Sequence, residues 1–212
     1  MPKYVIGIDE AGRGPLAGPV AVGVAQVPAD FDWALLPGVT DSKKLSERKR
    51  EEIFAAAKKL SSSNVLTFNV ALVSALIIDR IGIVRAIERG MVRALSKVSP
   101  EGGGEASRGP TSGEAADVQV KLDGGLRAPE RFTDQETIIK GDQREQIIGL
   151  ASIVAKVTRD QHMCRLGAQP AYAPYDFATH KGYATQKHRE AISNYGLSPV
   201  HRTTYCKNVK VL

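Results

Sequence analysis

The sequence predicts an α/β layer built on a mixed sheet, and three observations lead there. Two strand-length runs near the N-terminus are separated only by a Gly/Pro-rich turn, segments of helical periodicity alternate with further strand-like runs downstream, and three of those runs are followed by an acidic residue. Tyr4 to Ile8 (YVIGI) reads as the first strand, running into Asp9-Glu10. Pro19 to Val27 sets Val20, Val22 and Val24 at alternating positions; with only a turn between them, the two runs are expected to pair as an antiparallel hairpin. Ser46 to Leu60 is a helix, with Ser46 as its cap and Leu45, Ile53, Phe54 and Leu60 as its apolar stripe. Val65 to Val70 is a third strand. Val84 to Val98 repeats Val84, Ile87, Met91, Leu95 and Val98 at helical spacing and is the clearest helix of the chain. Val118 to Leu122 alternates and ends at Asp123-Gly124; Thr137 to Lys140 is a shorter strand ending at Gly141-Asp142. Ile147 to Met163 is helical, and its apolar first half is expected against the sheet. Loop and short helix share the final segment.

A length of 212 residues predicts one domain, 1–212, and 42% hydrophobic against 25% charged residues excludes a disordered or fibrous chain. No uncharged apolar stretch approaches the roughly 18 residues of a membrane span, so no membrane partner is expected. Met1-Pro2-Lys3-Tyr4 passes into a strand-like run without a secretory apolar region, and Cys164 and Cys206 form no CxxC pair. A cytoplasmic setting follows as the expectation. Residues 99–114 (SPEGGGEASRGPTSGE) cannot bury a core face and are expected as a flexible loop or insertion.

The net charge of +6 is uneven. Beyond residue 178, Lys181, Lys187, Arg189, Arg202, Lys207 and Lys210 face a single acid, Glu190, and His180, His188 and His201 lie there beside Tyr183, Tyr195 and Tyr205. Basic residues interleaved with aromatics suit a polyanion whose bases or sugars stack. A solvated, lysine-rich surface explains the composition equally well.

Carboxylates at the ends of buried strands are costly without partners. One of them is ordinarily a cap or turn, but Asp9, Asp123 and Asp142 each follow a strand-like run, and no Lys or Arg adjoins Asp9-Glu10 in sequence. A divalent cation would relieve their repulsion, as in phosphodiester chemistry; at this point that reading and the capping one both stay open. The turn that follows, Gly12-Arg13-Gly14-Pro15-Leu16-Ala17, loosely matches a dinucleotide fingerprint. It fails on context, because a strand rather than a helix opens after it. Glycines here suit either a tight turn or close backbone approach to a sugar or phosphate.

The segment Ile6 to Val20 (IGIDEAGRGPLAGPV) resembles the opening signature of the bacterial ribonuclease HII family. Further blocks agree in order: Asp41-Ser42-Lys43-Lys44-Leu45-Ser46, Leu122-Asp123-Gly124, Lys140-Gly141-Asp142, Ala151 to Asp160 (ASIVAKVTRD) and His180 to Thr185 (HKGYAT). The resemblance runs from about Val5 to about Thr204. It implies a ribonuclease H-like fold, with a mixed five-stranded sheet flanked by helices and a helical C-terminal extension, about 165–212, that binds substrate. It also implies a metal-dependent endonuclease that cuts the RNA strand of RNA–DNA hybrids and nicks 5′ to single ribonucleotides in duplex DNA, leaving 3′-hydroxyl and 5′-phosphate ends.

Under that resemblance Asp9, Glu10, Asp123 and Asp142 match the family's four catalytic and metal-binding acids, and the cofactor is Mg²⁺ or Mn²⁺ in a two-ion scheme. Gly12, Arg13 and Gly14 match the element that reads the 2′-hydroxyl, Tyr183 the junction-sensing tyrosine, and Ser42, Lys43 and Lys44 a phosphate-contacting block. Asp160 is assigned a structural or surface role. The partner is nucleic acid, either an RNA–DNA hybrid or ribonucleotide-containing duplex DNA; no obligate protein partner and a monomer are expected. Two departures stand out: the Gly/Ser-rich stretch is longer than the family usually carries, and Gly125 stands where Asn is common. A non-catalytic binding module relying on the basic tail, and the ribonuclease HIII branch, are the competing readings.

Overall fold

A computed structural model describes residues 2–40, 42, 44–98 and 117–209, so the 99–114 expectation lies outside the described residues. Five strands, β1 (Tyr4–Ala11), β2 (Val20–Pro28), β3 (Thr67–Val73), β4 (Val118–Asp123) and β5 (Gln135–Ile138), form one sheet in the order β3-β2-β1-β4-β5. The β1–β2 pair is antiparallel, as the turn between them required, and β2–β3 is antiparallel too; β1–β4 and β4–β5 are parallel. The mixed sheet is therefore the one expected.

Helices α1 (Glu47–Ser62), α2 (Ala75–Ile81) and α3 (Ile83–Leu95) precede β4; α4 (Gly141–Arg144), α5 (Gln146–Gly167), α6 (Phe177–His180) and α7 (Gln186–Tyr195) follow β5. Ser46 caps α1 as predicted, its side chain accepting the Lys49 N–H. Two apolar cores flank the sheet. One packs Ile6, Ile8, Val22 and Val120 against Ile87, Met91 and Leu95 of α3. The other packs Ala25 and Val27 against Ile53 and Phe54 of α1 and against Ile148, Ala151 and Val154 of α5. The helix α5 lies unusually close to the sheet, because a Cβ at Gly7 or Gly23 would strike the carbonyl of Ile147 or Ala151.

Several boundaries differ from the expectations, each for a tertiary reason. β1 runs on through Asp9 and Glu10 to Ala11, because β2 pairs with it along that length, so the acidic pair lies within the strand. β5 stops at Ile138 and Lys140 takes a left-handed conformation (φ 55°), which puts Asp142 in the first turn of α4 rather than at a strand end. Burial on α5 extends past its apolar half to Arg159, Asp160, Met163 and Leu166, which the C-terminal segment covers. Among the described residues no helix is long and apolar enough to cross a membrane.

Candidate active site

Parallel pairing of β1 with β4 sets Ile8 opposite Leu122, so Asp9 and Asp123 emerge side by side at the same edge of the sheet. Asp9 is 4% exposed. Burial pushes its carboxyl well above the usual carboxylate range, the charges of Glu10 and Asp123 push the same way, and hydrogen bonds from Ser152 and the Glu10 amide oppose them. The Glu10 N–H donates to Asp9 Oδ1 at 2.7 Å. Glu10 itself meets Arg13, three residues on, at 3.1 Å, so the counter-charge missing from the adjacent sequence comes from the glycine turn. Asp123 Oδ1 accepts the Gly141 N–H at 2.7 Å, which ties the end of β4 to the helical turn that carries the buried Asp142.

Asp9, Glu10 and Asp123 thus lie within electrostatic reach of one another, and Asp142 joins them through the Gly141–Asp123 bond. Among the described residues no three His, Cys, Asp or Glu side chains form a ready-made ion cage. Asp123 is turned to the Gly141 amide and Glu10 to Arg13. The donors are nonetheless all hard carboxylate oxygens, and a carboxyl pushed up by burial and by its acidic neighbours is what a divalent cation would reverse. By donor chemistry the set fits Mg²⁺ or Mn²⁺.

The other predicted residues divide. Ser42 is buried, its hydroxyl 2.7 Å from that of Ser152, which in turn bonds Asp9. Lys44 is exposed, and Asp41 and Lys43 lie outside the described residues. Arg13 and Gly14 are exposed, whereas Gly12 is buried. Tyr183 is 41% exposed, with the Lys156 ammonium and the Arg159 guanidinium each 5.6 Å from its ring centre. The preceding residue docks on the turn: Gly182 O accepts the N–H groups of Leu16 and Ala17. Asp160 pairs with Lys156 at 2.9 Å. It lines a cleft of about 390 Å³ with Glu47, Arg50 and Arg165 that includes none of the four acids.

The C-terminal charge divides, with Lys187, Arg189 and Lys207 on the surface and Arg202 enclosed. Arg202 and His188 have no exposure, and His180 and His201 are also buried. The Ser198 N–H donates to His201 Nδ1, leaving His201 Nε2 to donate to His188 Nε2 at 3.1 Å. His188 Nδ1 then donates to the Tyr183 carbonyl at 2.8 Å. Burial is the main cause that lowers both His188 and His201 to about 4. Arg159 and Arg202, which sequence reasoning did not single out, lie beneath the glycine turn. Its place in the Ala151–Asp160 block could have marked Arg159, whereas Arg202 lies in none of the motif blocks, and a buried arginine looks like a surface one in sequence.

Comparison with known proteins bears on the same residues. The ribonuclease HII family model matches residues 6–208. A ribonuclease HII of Ruminiclostridium cellulolyticum is 39% identical over 97% of this chain and 71% of its own length. That of Endomicrobium trichonymphae is 40% identical over 95% of this chain and 84% of its own. The crystal structure of the ribonuclease H2 from Pyrococcus horikoshii superposes with a TM-score of 0.67 at 29% identity, covering 95% of this chain and 93% of that one.

Proposed function

The chain belongs to the ribonuclease HII family, endoribonucleases that act on RNA–DNA hybrids, and from that premise we propose that it nicks duplex DNA on the 5′ side of embedded ribonucleotides, leaving 3′-hydroxyl and 5′-phosphate ends. The observation that carries the reading is Asp9: buried, and pushed up by burial and by the charges of Glu10 and Asp123 at the edge shared by β1 and β4. Asp9, Glu10, Asp123 and Asp142 would hold the divalent ions, Mg²⁺ or Mn²⁺. When bound, a pair of such ions lowers the pKa of water and neutralises the charge that develops on the leaving oxygen.

The protein's own groups bind and orient. In the reaction a water oxygen bonds to phosphorus as the phosphorus–3′-oxygen bond breaks, and that oxygen leaves as a hydroxyl after taking a proton. Arg13 holds Glu10 in place, and Ser42 acts from below through Ser152 on Asp9. The Gly12-Arg13-Gly14 backbone and Tyr183 read the ribose, whose 2′-hydroxyl alone separates it from its deoxy counterpart. Lys43 and Lys44 meet phosphates, as does the basic surface of residues 165–212, the substrate-binding part of a single catalytic domain.

The test is a duplex carrying one ribonucleotide, incubated with Mg²⁺ or Mn²⁺. A single nick 5′ to that nucleotide is expected. Folded protein that makes no nick with either ion removes the proposal.

A further inference from the structure

Arg202 enters the core from the C-terminal segment and donates three hydrogen bonds to backbone carbonyls: Nε to Gly18 O at 3.0 Å, Nη1 to Arg13 O at 2.9 Å and Nη2 to Gly12 O at 2.7 Å. Beside it Arg159, also without exposure, donates Nε to Pro19 O at 2.9 Å and Nη2 to Ala17 O at 3.3 Å. Gly12 takes φ +88°, and a Cβ there would collide with the Arg159 guanidinium, so the turn rests directly on that cation.

The Gly12 carbonyl belongs to the same peptide unit as the Arg13 N–H, and the Arg13 carbonyl to the same unit as the Gly14 N–H. No peptide bond is cis, so within each unit the carbonyl and the N–H point in opposite directions. Pinning both carbonyls inward on one guanidinium therefore aims both N–H groups outward. The surroundings agree, since Arg13 and Gly14 are exposed and neither N–H donates to a protein acceptor among the described residues. A cation on the carbonyl end also polarises each unit and strengthens its N–H as a donor. Among the described residues no carboxylate lies within ion-pair distance of Arg202, although the Asp79 charge acts on it from further away.

The structure assigns Arg202 as a positioning residue for ribonucleotide recognition: by holding the Gly12 and Arg13 carbonyls inward it presents the Arg13 and Gly14 amides as a paired donor to the ribose and its phosphate. This rests on the proposed nicking reaction. The neighbouring residue serves the second reading element, because His201 bonds His188, which holds the Tyr183 carbonyl. One dipeptide of the C-terminal segment thus sets both.

The experiment compares wild type, Arg202→Lys and Leu95→Ala, a destabilising change in the α3 core remote from the turn, on the single-ribonucleotide duplex. Lysine keeps the charge but cannot span three carbonyls with a planar fork. The expected result is a kcat lowered by roughly 100-fold in R202K, the size of effect that a misplacement of about 1 Å produces, with KM changed far less. L95A should keep wild-type kcat below its melting temperature. Equal losses in R202K and L95A, or wild-type kcat in R202K, overturn the assignment.

Should R202K fail to fold, amide hydrogen exchange of the wild type decides. The Arg13 and Gly14 amides should exchange fast in the free protein, slow when the ribonucleotide duplex is added, and slow less with an all-DNA duplex. Slow exchange in the free protein, or no slowing by the ribonucleotide, overturns it. Absence of nicking by the wild type would instead be a failure of the proposed reaction.

Discussion

Two neighbouring regions of this protein bury charge of opposite sign, and each compensates its own only in part. At the β1/β4 edge Asp9 is enclosed with Glu10 and Asp123 acting on it, and its carboxyl is driven toward the protonated state. Under the glycine turn Arg159 and Arg202 are enclosed together. Burial first, and the Arg159 charge second, lower Arg202 to about 10, still cationic at neutral pH. At the carboxylate edge Arg13 pairs with Glu10 while the buried Asp9 has no ion pair among the described residues; in the arginine bed Asp160 stands 4.0 Å from Arg159 and the Asp79 charge acts on Arg202. Under the proposed reaction a phosphodiester accompanied by divalent ions would complete both, and each region would then be a poor contributor to stability but a preorganised part of a site.

The regions should part under substitution and under acid, and the largest difference is catalytic. Asp123→Asn should lower the nicking rate by about 10²–10³-fold or more while duplex binding, measured by fluorescence anisotropy, persists. Full activity in that variant would dissolve the carboxylate half of the comparison.

Acid should then weaken the C-terminal side. His188 and His201 lie near 4 when folded, below the ordinary 6.5, so the unfolded chain binds protons that the folded one refuses. Their contribution is complete above about pH 6.5 and is lost as the pH falls toward about 4, by up to ~3 kcal/mol for each histidine. Melting curves across that window should show the decline, and His201→Gln should flatten it.

The carboxylate edge responds with the other sign. A carboxyl whose folded pKa is raised destabilises the protein most above that pKa, and the penalty shrinks as the pH falls through it, vanishing below the lower unfolded value. In metal-free protein Asp9→Asn should raise Tm at pH 7, by about 2–4 °C for each kcal/mol relieved, and the gain should shrink in acid. Mg²⁺ or Mn²⁺ should raise the wild-type Tm and leave that of Asp9→Asn nearly unchanged. A Tm lowered by Asp9→Asn at pH 7 would contradict the account of that edge.

The smallest effect concerns what holds the arginine bed in place. Asp79 on α2 accepts the N–H and hydroxyl of both Thr203 and Thr204, just beyond Arg202. Asp79→Ala should cost about 1–2 kcal/mol in denaturant melts. A loss confined to stability, with ribonucleotide discrimination intact, separates this clamp from Arg202 itself.

The sheet was legible because alternating valines and a two-strand turn are local signals, and α3 and α1 because their apolar stripes are. α2, α6 and α7 were not placed. Each is short, and α6 and α7 are held by the contacts of Tyr175, Phe177 and the histidines rather than by a periodic face. The four acids and the glycine turn were legible as motif residues. Their states were not, since an aspartate reads the same whether it is solvated or enclosed.

The sequence by itself determined the order of the strands and of the longer helices α1, α3 and α5, the acids available for chemistry and the family to which they belong, because those depend on residue type and near-neighbour spacing. Tertiary structure alone decided that the Asp9 carboxyl is pushed up, by burial first and by the charges of Glu10 and Asp123, that Arg13 supplies the counter-charge of Glu10, and that Arg159 and Arg202 face carbonyls 140 and 190 residues away in the chain. Desolvation and Coulomb energy depend on distance through space and on exclusion of water, and neither exists until the chain has folded.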